Sequence, residues 1–515
     1  MKPSLLTFVV LTATVLPAAA QLLAVVRIVE DPQPARVGAG DDVMFRVRAE
    51  IAPPHAITRY EWRRNGVAIA GAPSAPELTL RGVAGGDAGT ISVMVYSTAI
   101  GRPSRGARLD VVQNGWALLS GRELSTRAAT QAPSLVRCDG RWLVAWAENS
   151  SAVPAVPQLR VSALEAGAWQ PMSTATLPGA AGAWATDPSL HCASFQSREQ
   201  AAVAWTEAAG SVAPKTLHVK RFDGTAWQPV GAPLASGPTV AVSRPTLRLA
   251  GEESDNAGGT AIATLSLRTY ANAARLRHER WDGAQWVLLG DAPAHTGTAP
   301  MVLPDTASRP AALMGRRALA PLQLANVVVA SGQSRLAVVS SQTGWAPLGD
   351  WLRPASSSPV QLVGLGFGAE RSLPRAVAMW REGGTTPSLV SATLAGADYQ
   401  QAFESGGLRS WPVYADPLPL PVGSLLFAHD GEAHRTDCDF GGRSGFGVAV
   451  ADSTQTQVWF PNCPGAGSGT ARWYPVGDPL PLRPAAMTLK MQDRERPLVA
   501  LVQNGRLEVW RWVLP

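Results

Sequence analysis

Charge is scarce in this chain. Only 16% of its 515 residues are Asp, Glu, Lys or Arg, where about a quarter is usual. The net charge of +6 is spread thinly, and no run of Lys or Arg occurs. Nucleic-acid binding calls for a basic stripe, so nucleic acid is excluded as a partner. Histidine is sparse, seven in all, few for a catalytic or metal-rich protein. No nucleophile elbow, His-Glu-x-x-His helix, phosphate loop or EF-hand loop is present, so no ready-made catalytic motif is on offer. Past the N-terminal stretch no segment reaches the roughly 18 apolar residues of a membrane span. Cysteine is limited to four residues with no Cys-x-x-Cys spacing, which excludes a zinc ribbon or thioredoxin-type site.

What is there begins with a targeting segment. Lys2 supplies a positive start, LLTFVVLTATVL is a short apolar stretch, and Ala18-Ala19-Ala20 precede Gln21 as a small-residue cleavage site. Residues 1–20 therefore read as a signal peptide. The competing reading is a short membrane anchor, but no stop-transfer pattern follows. The expected product has no stable membrane insertion and is secreted, periplasmic or held at the cell surface. Four cysteines in an exported protein permit two disulfides in three pairings. Proximity along the chain favours Cys138–Cys192 and Cys438–Cys463.

Residues 22–113 alternate apolar and polar in short runs. Val43, Phe45 and Val47 fall on one face of VGAGDDVMFRVRAE, Trp62 precedes an Asn65-Gly66 turn, and DAGTISVMV alternates again. Several short strands with turn signals between them make a β-sandwich. Tyr60-x-Trp62-x-x-Asn65-Gly66 and Asp87-Ala88-Gly89-x-x-Ser92-Val93 resemble the immunoglobulin-like domains of secreted bacterial proteins. The resemblance puts Phe45 and Val93 where such domains often hold a disulfide, and Ile91 in place of the corner tyrosine. The core must then rest on packing alone, around Trp62.

Residues 114–515 repeat one phrase. Trp opens it at positions 116, 169, 227, 286, 345, 411 and 473, Pro follows at 171, 229, 347, 412 and 475, and Gly often ends it. Each copy leads into a short strand, a nearly continuous apolar run such as RWLVAWAE or QAAVAWTE, and a third strand. Four short strands at a fixed period mean a β-propeller. The apolar second strand should be buried on both faces between neighbouring blades. Proline removes a ladder donor, so the Trp strand should be the outer edge. Its Trp would pack on the adjoining blade. The last unit ends without a Trp phrase, and Trp116 stands ahead of any blade, so the Trp116 strand should complete the last blade. That makes seven blades, with six or eight as alternatives. Asp223-Gly224 and Asp282-Gly283 are expected to form tight hairpins with both central residues at positive φ. The phrase resembles the W-x-P-[VL]-G repeats of exported bacterial propellers, distantly similar to Kelch and sialidase-type blades. The whole is all-β.

Two constellations carry chemistry. Trp146/Glu148, Trp205/Glu207 and Trp380/Glu382 share a Trp-x-Glu spacing at the end of the second strand. A Trp beside a carboxylate can stack on a sugar ring and accept from its hydroxyls. The plainer account is blade core plus a strand-ending Glu. The segment HDGEAHRTDCDFGG gathers His429, Asp430, His434 and Asp437, a set that suits calcium or another divalent cation. The plainer account there is a solvated loop pinned by a Cys438–Cys463 disulfide. Asn149-Ser150-Ser151 matches a glycosylation sequon. The reading that follows is a non-catalytic recognition or adhesion protein for an extracellular glycan or protein. Its alternatives are a polysaccharide hydrolase or lyase on a propeller scaffold, and a structural subunit of an envelope complex.

Overall fold

The computed structural model describes residues 25–97, 100–121, 124–125, 127–129, 131–151, 155–172, 177, 182–195, 198–210, 215–235, 241–250, 261–270, 273–292, 312–313, 323–330, 333–340, 352–356, 360–370, 373–383, 386–393, 413–423, 425–430, 447–461, 470–492 and 496–514. The expected signal segment, Trp345 with Pro347 and Trp411 with Pro412 lie outside these residues. The chain divides into two compact units. The smaller takes in Phe45–Leu78, Gly89–Arg108 and the described residues up to Gln33. The larger takes in Pro34–Met44, Thr79–Ala88 and Leu109–Pro515.

The smaller unit carries the immunoglobulin-like core. Phe45, Val47, Trp62, Leu78, Ile91, Val93 and Val95 are all buried, so the positions of the absent disulfide and tyrosine are filled by packed side chains. Trp62 keeps its indole N–H satisfied by donating to the Ala75 carbonyl at 3.0 Å. Asn65 and Gly66 both take positive φ, 50° and 83°, and join Arg59–Arg64 to Val67–Ala68 as a tight hairpin.

The larger unit holds seven four-stranded antiparallel sheets among the described residues. The first blade is Ser134–Cys138, Arg141–Asn149, Pro157–Glu165 and Ala168–Pro171; the second is Trp184–Phe195, Arg198–Ala208, Thr216–Phe222 and Trp227–Pro229. The third runs from Ala241–Ala250 to Trp286–Ala292. The strand Gly115–Leu118 pairs with Arg506–Val513, Trp116 opposite Trp512. It thereby completes the sheet of Ala486–Met491, Pro497–Gln503 and Arg506–Val513. First strands pack on one another between blades, and Ala486–Met491 of the last returns to Ser134–Cys138 of the first.

The second strands are buried on both faces, as their sequence requires. Along Arg141–Asn149, Leu143 and Ala145 join a cluster with Val203, Trp205 and Trp227 of the second blade. Trp142, Val144 and Trp146 join the opposite cluster with Leu498, Ala500 and Val509 of the last. Alternation along a strand sends neighbours to opposite faces, so an unbroken apolar run fills both blade interfaces.

The same geometry accounts for the repeated phrase. Trp227–Pro229 is the outer strand of its sheet, Pro229 is exposed at the edge, and Trp227 is buried against the first blade. Trp286 donates its indole N–H to the Val230 carbonyl of the preceding blade at 3.0 Å. Trp116 does the same to Asp478 at 2.8 Å. Gly231 and Gly477, which end two copies, have φ of 66° and 55°. A Cβ on Gly231 would overlap the Trp281 ring, and one on Gly477 the Trp512 ring. Trp, Pro and Gly recur because, among the described residues, a blade packs on the one before it through that phrase.

Gly477→Ala should accordingly cost about 3 kcal/mol, combining left-handed backbone strain with overpacking against Trp512. Gly140→Ala, at φ 72° with open space around it, should cost about 1–2 kcal/mol from the backbone alone. Denaturant midpoints of the two variants, measured side by side, check the difference. Equal shifts would mean that the ring contact is inconsequential.

The Asp-Gly turns depart from expectation. Only the glycines take positive φ, 106° at Gly224 and 103° at Gly283. Asp223 instead accepts the N–H groups of Thr225 and Ala226, each at 2.8 Å, and Asp282 accepts those of Ala284 and Gln285. These donors hold both carboxyls well below the usual range. Four residues separate the last paired positions, Phe222 and Trp227 in one turn and Trp281 and Trp286 in the other, two more than in a two-residue hairpin, and the Asp side chain closes the turn.

Candidate functional site

Residues two apart on a strand project from the same face, so each Trp-x-Glu pair can close on itself. Trp146 donates its indole N–H to Glu148 at 3.1 Å, Trp205 to Glu207 at 2.8 Å, and Trp380 to Glu382 at 3.0 Å. The third strand supplies a base to two of them. Arg160, opposite Trp146 in register, donates to Glu148 at 3.2 Å. His218, opposite Trp205, stacks on the indole at 5.3 Å between ring centroids. Its Nε2 lies 3.5 Å from Glu207. Burial holds the His218 imidazole below its ordinary range, with Glu207 pulling the other way and Lys220 adding to the lowering.

The three indoles are 4%, 0% and 4% exposed. None opens a ring face to a sugar, and the carboxylates of Glu148 and Glu207 are buried with them. The glycan-stacking expectation for these pairs gives way to an internal one. The pairs let a polar strand end pass between blades with its indole donors satisfied.

The metal-ligand expectation fares similarly where it is described. Asp430 is buried and accepts the Met491 N–H at 2.8 Å, with Lys490 Nζ at 3.3 Å. Its carboxylate is committed to the contact between the sixth and seventh blades. His429 lies against Gly364, where a Cβ would overlap the imidazole. His434, Asp437, Cys438 and Cys463 lie outside the described residues. Cys138 and Cys192 form the expected disulfide, joining the first strands of the first and second blades.

The first strands reveal a feature that no motif announced. Three carry Pro-[Ser/Thr]-Leu, at the start of the first and within the second and third: Pro133-Ser134-Leu135, Pro188-Ser189-Leu190 and Pro245-Thr246-Leu247. Ser134 accepts the Leu190 N–H at 2.8 Å, and Ser189 the Leu247 N–H at 3.0 Å, so each hydroxyl ties one first strand to the next. The second and third blades bulge at the proline, with register shifts between Thr186 and Ser189 and between Ser243 and Thr246. Proline cannot donate to the ladder, which favours a bulge there.

The residue before that proline varies: Ala132, Asp187, Arg244. Asp187 sits at φ 57°, a left-handed conformation that costs a non-glycine residue about 1–3 kcal/mol and clusters at ligand sites. Its N–H donates to Gln131 at 2.6 Å. Its carboxylate takes Lys215 Nζ at 3.3 Å and the Thr206 hydroxyl at 3.3 Å. Thr186 bonds to Thr206 at 2.9 Å and receives Lys215 at 3.0 Å. The Asp187 side chain keeps 18% of its surface exposed and Lys215 28%. Thr186 pairs with Thr206 in register, next to the Ala185–Glu207 pair, so this cluster stands at the same end of the blade as the Trp-x-Glu pairs. It brings together an anion, a cation, two hydroxyls and an amide: Thr186 and Asp187 on the innermost strand, Thr206 on the second, Lys215 just ahead of the third, and Gln131 from ahead of the first blade's first strand.

No family model matches the chain, and no curated protein matches it. Solved structures offer likenesses at low identity. The GH93 α-L-arabinofuranosidase of Fusarium graminearum, solved with arabinobiose, is 13% identical, with a TM-score of 0.41 over 78% of this chain and 97% of that one. An exo-β-1,3-galactanase from Clostridium thermocellum is 8% identical, with a TM-score of 0.30 over 78% and 98%. Extracellular domains 3–5 of Drosophila OTK are 10% identical, with a TM-score of 0.16 over 61% and 96%. At these scores none assigns an activity to this chain.

Proposed function

We propose that this is an exported, non-catalytic recognition protein that binds an extracellular glycan at the Asp187 end of the propeller. The observation that carries the reading is Asp187 itself. A strained, part-exposed carboxylate on the innermost strand is costly to keep for structure alone. The Asp187 carboxylate can accept from one hydroxyl of a sugar diol while the Lys215 ammonium beside it donates to the neighbouring hydroxyl. The exposed Lys215 and Asp187 surfaces provide both halves. Hydrolysis would need a second carboxylate about 5–9.5 Å away. Glu148 and Glu207, the acids at the same strand ends, are bound to indoles and bases, so recognition is the better reading. An immunoglobulin-like module is suited to act as a spacer for such a propeller. The described residues contain no helix long and apolar enough to cross a membrane.

Asp187→Asn tests this. Asn tolerates the left-handed backbone well and keeps the shape of the side chain, so the melting temperature should hold. Binding on a glycan array should weaken about ten- to hundredfold, the worth of a hydrogen bond to a charged group. Binding that survives the substitution unchanged would place the ligand elsewhere. A wild-type chain silent across the array would refute glycan recognition and leave protein adhesion in its place.

A further inference from the structure

The Cys138–Cys192 bridge has an acidic neighbour. Ligand atoms of Cys138, Cys192 and Glu199 all lie within 4.8 Å of one another. Cys138 is buried, Cys192 half-buried and Glu199 exposed, so the group opens to solvent on one side. The Asp139 backbone N–H donates to Glu199 and fixes the carboxylate beside the sulfurs. Asp139 has φ 51°, so the turn after Cys138 is itself held in a less common conformation. The Cα atoms of the two cysteines are 5.6 Å apart. Two thiolates on one tetrahedral zinc ion, with Zn–S bonds of about 2.3 Å, sit about 3.8 Å from each other, a separation that this backbone spacing accommodates.

We propose that Cys138, Cys192 and Glu199 form a redox-gated site for a zinc-class divalent cation. A thioredoxin-type dithiol supplies the electrons. The S–S bond takes up two electrons and two protons to give two thiols, and the dithiol closes to its own disulfide. Metal binding then releases both thiol protons and forms two metal–sulfur bonds and one metal–oxygen bond, with the fourth tetrahedral position left to water. The oxidised chain has no thiolate to offer, so disulfide and metal exclude one another. The occupied site would hold the first and second blades together in a reducing setting, as the disulfide does in an oxidising one.

The test uses the full chain, reduced with a dithiol, desalted without oxygen and titrated with Zn(II) alone. Cys438 and Cys463 are also reduced in that preparation, so the Cys138→Ala/Cys192→Ala variant is the reference. The wild type should bind one more equivalent than this variant. Co(II) should give a sulfur-to-metal charge-transfer band that the variant lacks at that equivalent. Glu199→Gln should weaken the extra site by about tenfold or more, since a direct ligand counts for no less than an outer-shell partner. Its oxidised form should melt like the wild type, because Glu199 is exposed. Equal stoichiometry in wild type and double variant would overturn the proposal, and so would a Glu199→Gln chain that binds zinc as tightly as the wild type.

Discussion

Trp205→Ala should unfold the second blade's interface rather than silence a ligand site. The side chain has no exposed surface and packs among Leu143, Val161, Val203 and Trp227 in the cluster between the first two blades. Truncating a fully buried aromatic costs about 3–5 kcal/mol. The loss also strips Glu207 of the 2.8 Å indole donor, and a buried carboxylate short of a partner adds about 1–3 kcal/mol. Trp205→Phe separates the two contributions. It keeps a six-membered aromatic ring but removes the N–H and the rest of the pyrrole ring, so it should cost about 1–3 kcal/mol, less than the alanine variant. Denaturant unfolding followed by near-ultraviolet circular dichroism reads both. A Trp205→Ala chain that unfolds like the wild type, yet loses glycan binding, would restore the stacking role.

The architecture was legible because each of its demands falls on a particular residue type. The edge needs a donorless residue, hence Pro229; the blade contact needs a large ring with one donor, hence Trp227 and Trp286. The close approach of Trp281 and Trp512 to the preceding blade needs a residue without a side chain, hence Gly231 and Gly477. The strand at Trp116 was placed in the last blade for want of any other fourth strand, and it pairs there.

The site was less legible, for physical reasons. A Trp-x-Glu spacing is the same for an exposed stacking platform and for an internal indole–carboxylate bond; only burial separates them, and burial is set by the neighbouring blade. An Asp-Gly pair permits either a two-residue hairpin or a turn capped by the carboxylate, and the two closing residues decide which. Asp187 carried a faint signal. Within the fixed frame of Pro-[Ser/Thr]-Leu, the preceding residue changes from Ala to Asp to Arg, and a variable position in a constant frame is where a binding residue can be placed without harm to the fold. Lys215 and Gln131 carried none, because they meet Asp187 only when the second and third strands and the adjoining blade are in place.

Loss of the Cys138–Cys192 bridge should lower stability almost as much as loss of Trp205. The two cysteines are 54 residues apart in sequence, so the bond closes a loop longer than one blade. In the chain-entropy account, closing a loop of that size removes about 4 kcal/mol of freedom from the unfolded state. The native state gives little back when the sulfurs are replaced. Cys138 already lies within the apolar cluster between the two blades, with Cys192 packed against it, so alanine at both positions leaves only a small void. The Cys138→Ala/Cys192→Ala variant should therefore unfold at a clearly lower denaturant concentration, with a somewhat steeper dependence on denaturant because the unfolded chain is freer to expand. Adding a reductant should move the wild type to meet it. Zinc supplied to the reduced wild type should recover part of the difference, while the double variant stays where it is. The bond spans the first strands just beyond the seam where the last blade meets the first, and that seam is held by hydrogen bonds and packing alone among the described residues. A variant that unfolds with the wild-type midpoint would mean that the seam, not the covalent link, governs how the ring opens.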